Sequence, residues 1–146
     1  MRHTDDVIPD VNVVDGLFAQ RAGDAPRAYE SFLKGLRAGG YYERKHLKRL
    51  RPVALLAAES ALAAGRLEDA LRLSHEAFEI ARVDDLADAQ SAFTGEARLM
   101  EGRVWLGRGD TTTARAALEK AATALRNGAG ANDSRTREAE RLLATP

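Results

Sequence analysis

Between Ala57 and Ala81 the chain reads AAESALAAGRLEDALRLSHEAFEIA, two helical runs hinged at Gly65-Arg66. The run before Gly65 is built from strong helix formers, and the glycine supplies a left-handed stop. After it Leu67, Ala70, Leu71, Ser74, Ala77, Phe78 and Ala81 recur at three-four spacing, the period of one helix face. Each run carries an apolar stripe that it cannot bury alone, so the two must pack as a hairpin. Because the same stop recurs elsewhere, the hairpin sets the expected fold: all-α, with helix pairs in series.

Taken in order, Met1 to Ile8 is polar and reads as a flexible tail, and residues 9–146 as one helical domain. Pro9-Asp10 suits a helix start, where a missing N–H costs nothing and a carboxylate meets the dipole. A first helix is expected over Pro9 to Ala22 on Val11, Val14, Leu17 and Phe18. The β-branched Val11, Val13 and Val14 leave a strand as the alternative. Gly23-Asp24-Ala25-Pro26 reads as stop, cap and restart, and Gly39-Gly40 ends the second helix. Pro52 either starts a helix or kinks one running from Tyr42 to Ala64, the broken reading being preferred. Asp84-Asp85 is the expected cap of a fifth helix ending at Gly107 or Gly109. A sixth helix is expected to Arg126, a loop over residues 127–133, and a last helix over Ser134 to Ala144.

Glycines 23, 65 and 109 mark an internal repeat. Each is followed five residues later by alanine (Ala28, Ala70, Ala114) and preceded seven residues earlier by a small residue (Gly16, Ala58, Gly102). Small residues there let paired helices approach closely. The units run over about residues 9–40, 41–83 and 84–127, with 134–144 as a capping helix.

This pattern resembles the tetratricopeptide repeat, which sets a small residue and an aromatic in its first helix and Ala-x-x-x-Phe in its second. Ala28/Phe32 and Ala114/Leu118 follow the second-helix spacing. Gly102 and Trp105 match the first-helix portion, and GRLEDAL and GDTTTARAAL are similar to the family's turn and second-helix start. The tryptophan position instead holds Asn12, Ala54 and Arg98, and the closing proline is missing. The turn glycines lie 42 and 44 residues apart, against about 34 in the standard unit. Longer units are similar to those of kinesin light chains. An irregular helical bundle is the alternative.

The resemblance implies an α-solenoid of three antiparallel helix pairs plus the capping helix, a tetratricopeptide-like superhelix. It also implies a non-catalytic scaffold or adaptor that takes a partner protein or peptide in a groove lined by first helices. The positions that would line it are Leu17, Gln20, Leu55, Glu59, Leu62, Glu96, Leu99 and Arg103. A carboxylate-clamping mode would place cations at Val13, Leu17, Leu56, Glu96 and Met100, where this chain has none. A helical or extended protein segment fits such a mixed apolar groove better. The competing reading makes the leucines packed core and the charges a solvated face.

Composition narrows the function classes. The chain balances 22 basic against 22 acidic residues, so the charge excess of a dedicated nucleic-acid binder is missing. It has no cysteine, which excludes disulfides and thiol chemistry, and no apolar run of membrane-spanning length. With no signal-peptide pattern at the start, a cytoplasmic protein is expected. Arginine in excess of lysine, with abundant alanine, suggests a high-GC bacterial genome. His3, His46 and His75 show no partner spacing for catalysis or metal binding, so neither an enzyme, a cofactor nor a metal is expected.

Two further surfaces stand out. Arg44, Lys45, Lys48, Arg49 and Arg51 face only Glu43 in their neighbourhood, the one strong charge cluster. They are the candidate contact of an alternative function, a regulatory module touching nucleic acid or another polyanion. A solvated helix flank explains them as well. The first helix is also more apolar than one partner helix requires, so Val7, Val11, Val14 and Phe18 are candidates for self-association as a homodimer.

Overall fold

The computed structural model describes residues 10–42, 48–84 and 91–145, and among them all regular structure is helical. The helices are α1 (Val11–Arg21), α2 (Ala25–Ala38), α3 (Arg51–Ala63), α4 (Leu67–Asp84), α5 (Ala92–Gly107), α6 (Thr111–Ala129) and α7 (Ser134–Ala144). A 3-10 turn, Lys48–Leu50, leads into α3. Val11, Val13 and Val14 lie in α1, which removes the strand alternative.

Short polar side chains fix most helix starts. Asp10, Asp24, Ser91, Asp110 and Asp133 each accept from a backbone N–H in the first turn of the helix that follows, satisfying a donor with no intrahelical partner. Pro26 and Pro52 sit in first turns, where their missing N–H is not needed, so Pro52 starts α3 and kinks nothing. The cap of α5 is Ser91, not Asp84-Asp85, because α4 runs on through Asp84. Helix α6 likewise continues to Ala129 and stops at Gly130, so the loop expected from residue 127 is shorter.

The three hairpins turn in the same way. Gly23, Gly65 and Gly109 all have φ near 80°, where a side chain would be strained. In each, the glycine N–H donates to the carbonyl three residues back and the next N–H to the carbonyl five back: Gly65 to Leu62 at 3.1 Å and Arg66 to Ala61 at 2.8 Å. Those bonds close the helix end and reverse the chain.

Each helix packs on its neighbours in sequence, and α3 also touches α5, and α5 touches α7. The hairpins are antiparallel, as the close contacts show. A Cβ added at Gly16 would lie 2.6 Å from the Phe32 ring, and one at Gly35 2.9 Å from Val13. On α5, Gly95 opposes Leu125 and Gly102 opposes Leu118, seven residues apart on both helices and running in opposite directions. Ala28, Ala70 and Ala114 are all fully buried. One core runs from α1 to α5 and a second joins α5, α6 and α7. Fully buried Phe32, Leu36, Leu73, Leu118 and Leu125 each contribute roughly 1.5–3 kcal/mol of transfer free energy. Tyr41 follows Gly40 into the core, where its phenol donates to Glu76 at 3.3 Å and burial raises its pKa above the ordinary value.

Candidate functional site

Helices α3, α5 and α7 together border an open concavity of about 580 Å³. Counted back from the turn glycines, Leu55 and Leu99 are equivalent, as are Glu59 and Arg103. The repeat therefore sets the same stripe of α3 and α5 on one side. Leu56, partly exposed, and the edges of Leu55, Leu99 and Met100, which are otherwise buried in the two cores, form an apolar wall, and Glu59, Glu96, Arg103, Arg51 and Arg135 supply the charges.

Most of these charges are paired. Glu96 on α5 accepts from Arg51 of α3 at 3.1 Å on one carboxylate oxygen and from Arg135 of α7 at 3.3 Å on the other. Arg51 also lies over the Phe93 ring, 4.2 Å from its centroid, a cation–π contact that keeps the guanidinium flat against α5. Arg135 is held from behind by Asp133, with Nε donating at 2.9 Å and a second guanidinium nitrogen at 3.0 Å. Those bonds, together with the Arg135 backbone N–H, hold the Asp133 carboxyl down at about 2 and raise the Arg135 guanidinium. At the other end Gln20 of α1 donates to Glu59 at 3.5 Å. Arg103, half-buried, has no ion-pair partner among the described residues.

Five of the eight groove positions read from the sequence thus share one concavity: Leu55, Glu59, Glu96, Leu99 and Arg103. Gln20 reaches it through Glu59, and Leu17 is exposed on the same helix. Leu62 lies outside the concavity, partly buried against the core, where its Cδ1 lies 3.2 Å from the position of a Cβ on Gly107, and Leu55 and Leu99 are themselves core residues that only border the concavity. Arg135 was not legible as a groove residue, because α7 precedes no turn glycine that would set its register. Arg51 belongs to the basic stretch in sequence, yet its side chain is only 11% exposed and faces Glu96. Arg49 is exposed, while Arg44, Lys45 and the Lys48 side chain lie outside the described residues.

His75 is exposed, 3.9 Å from both Glu79 and Glu101. Among the described residues no group of three or more His, Asp or Glu side chains is arranged to hold a metal, and no helix is long and apolar enough to cross a membrane. On α1, Val11 and Phe18 are 76% and 65% exposed and Val14 is partly exposed, while Val7 lies outside the described residues. Comparison with protein-family models, with curated proteins and with solved structures finds no match in any of the three.

Proposed function

We propose that the helix pairs form a tetratricopeptide-like solenoid whose concavity binds a segment of a partner protein, and that the molecule is a non-catalytic adaptor. The observation that carries this reading is the groove: an apolar wall from two equivalent helices, flanked by ion pairs that already satisfy Arg51, Glu96 and Arg135. Charges engaged with one another hold the wall's shape, whereas Arg103 is left for a ligand. A segment that fits presents an apolar side chain to Leu56 and the edges of Leu55, Leu99 and Met100, and an acidic side chain to Arg103. The threefold glycine turn and the α3–α5 and α5–α7 contacts support the solenoid arrangement.

Selection from a displayed library of random peptides tests it. Enriched peptides are expected to combine apolar residues with an acid, and to lose about tenfold in affinity against Arg103→Glu. Leu56→Gln, at a wall position that also packs against the core, should weaken binding about tenfold while the circular dichroism spectrum stays helical. Peptides that bind both variants as tightly as the wild type would place the binding surface elsewhere.

A further inference from the structure

The repeat permits a direct comparison of equivalent faces. Positions twelve, nine and five residues before each turn glycine lie on one helix side, because steps of three, four and seven residues return to the same face. Seven residues before the glycine lies the opposite side, which packs on the unit's own second helix, as Gly16 does on Phe32 and Gly102 on Leu118. In α5 the first face is Ala97, Met100 and Val104, at most 7% exposed, where the helix meets α4. In α3 it is Val53, Leu56 and Ser60, the first two packed against the core and Ser60 2% exposed, where the helix meets α2. In α1 it is Val11, Val14 and Phe18, and here it lies open. The residues have kept the apolar character of a helix-receiving face without a described helix upon it.

We propose that this face receives α1 of a second copy of the chain, the two helices crossing antiparallel about a two-fold axis. The stripe ends in opposite charges, exposed Asp10 at its start, whose Oδ1 also accepts from the Asn12 N–H at 2.7 Å, and exposed Arg21 in its last turn. Antiparallel pairing sets Asp10 of each copy beside Arg21 of the other and Val14 beside Phe18. Parallel pairing would set like charges together. Helix dipoles favour the same direction, and two-fold pairing is the commonest way for identical chains to bury one shared patch. Asp15 does not oppose it, since its carboxylate is already bound by Arg27 at 2.8 Å and Ser31 at 2.7 Å. A single three-turn helix offers less than the roughly 800 Å² per partner of a standard interface, so the dimer is a weak one, to be sought from about 10 μM to about 1 mM.

Light scattering of the full chain across that range should show a concentration-dependent dimer. Phe18→Asp and Val11→Asp, at exposed positions outside the core, should each return it to monomer with an unchanged circular dichroism spectrum. The absence of native cysteine makes the orientation testable. When Val11→Cys and Arg21→Cys chains are mixed under oxidising conditions, the mixed disulfide should exceed either like pair about tenfold. In an antiparallel pair two Val11 positions lie about 15 Å apart along the helix axis, beyond the ~7 Å Cα separation a disulfide spans. A wild-type chain still monomeric at about 1 mM overturns the proposal, as does a dimer untouched by both aspartate variants or one in which like pairs predominate.

Discussion

At the scale of single residues, bare backbone on a first helix admits a large side chain from the second. Gly16 meets Phe32 in the first unit and Gly102 meets Leu118 in the third. Both second-helix side chains are almost fully buried. A methyl group at Gly102 would lie 2.6 Å from both Cγ and Cδ2 of Leu118, so Leu118 would have to move within a filled core. Gly102→Ala is expected to cost about 1–3 kcal/mol by overpacking, and Leu118→Ala about 2–5 kcal/mol by leaving a cavity. The double variant should cost less than the sum by about 1 kcal/mol or more, because each change relieves the other. Urea unfolding of the four proteins gives the cycle, and strict additivity would show that the two positions do not meet.

At the scale of elements, arginines tie each unit to its neighbour. Arg66 lies 5.1 Å from the Tyr29 ring centroid, Arg98 3.9 Å from that of Phe78, and Arg108 donates to Glu68 at 2.5 Å. The start of α7 is tied through Asp133, which accepts from the Arg135 backbone N–H and side chain. Its carboxyl is held at about 2 against an ordinary 3.8. As pH falls, the unfolded chain therefore takes up the proton first, and the stabilisation present above the ordinary value is lost as pH falls through the folded one. The melting-temperature gap between wild type and Asp133→Asn should narrow from about pH 5 to about pH 2. A gap independent of pH would show that the cap acts without its charge.

At the scale of the whole molecule, packing between sequence neighbours grades local stability along the chain. Helix α1 packs mainly on α2, with one side open, whereas α3, α4 and α5 are flanked on both sides and carry most of the larger core. Local opening of α1 exposes less apolar surface than opening of α4, so it costs less. Hydrogen exchange on dilute protein should find α3 to α5 the slowest to exchange and α1 distinctly faster. Uniform protection would mean that the chain opens only as one unit. Glu96 adds a constraint across three helices, joining Arg51 on α3 to Arg135 on α7. Glu96→Gln leaves the Arg51 charge, 11% exposed, without its counter-ion. It is expected to cost on the order of 1–2 kcal/mol, an amount discounted for the exposure of the other members. Thermal melts at low ionic strength read that loss, and an unchanged midpoint would show the pairs to be energetically idle.

The sequence by itself determined what local interactions decide. Helical periods and the left-handed turn glycines act within five residues, so the hairpins, their reversals and the small residues at their crossings were legible from Gly23, Gly65 and Gly109. The start of α1 was legible to within two residues, expected at Pro9 and found at Val11 with Asp10 as its cap, and the boundary was missed where α4 ran through Asp84 and Ser91 took the capping role. The stripe that α3 and α5 set along the concavity was legible, since the glycines fix its register, but not the burial of Leu55 and Leu99 within it. Only the tertiary structure decided the rest. Glu96 lies 45 residues from Arg51 and 39 from Arg135, and Tyr41 lies 35 from Glu76. No periodicity within a helix foretells which partners such distances bring together. That Arg51 turns inward to Glu96, that α7 adds an arginine to the groove and that the apolar face of α1 is left open follow from the stacking of one hairpin on the next, where side chains from separate helices compete for the same space and the same charge.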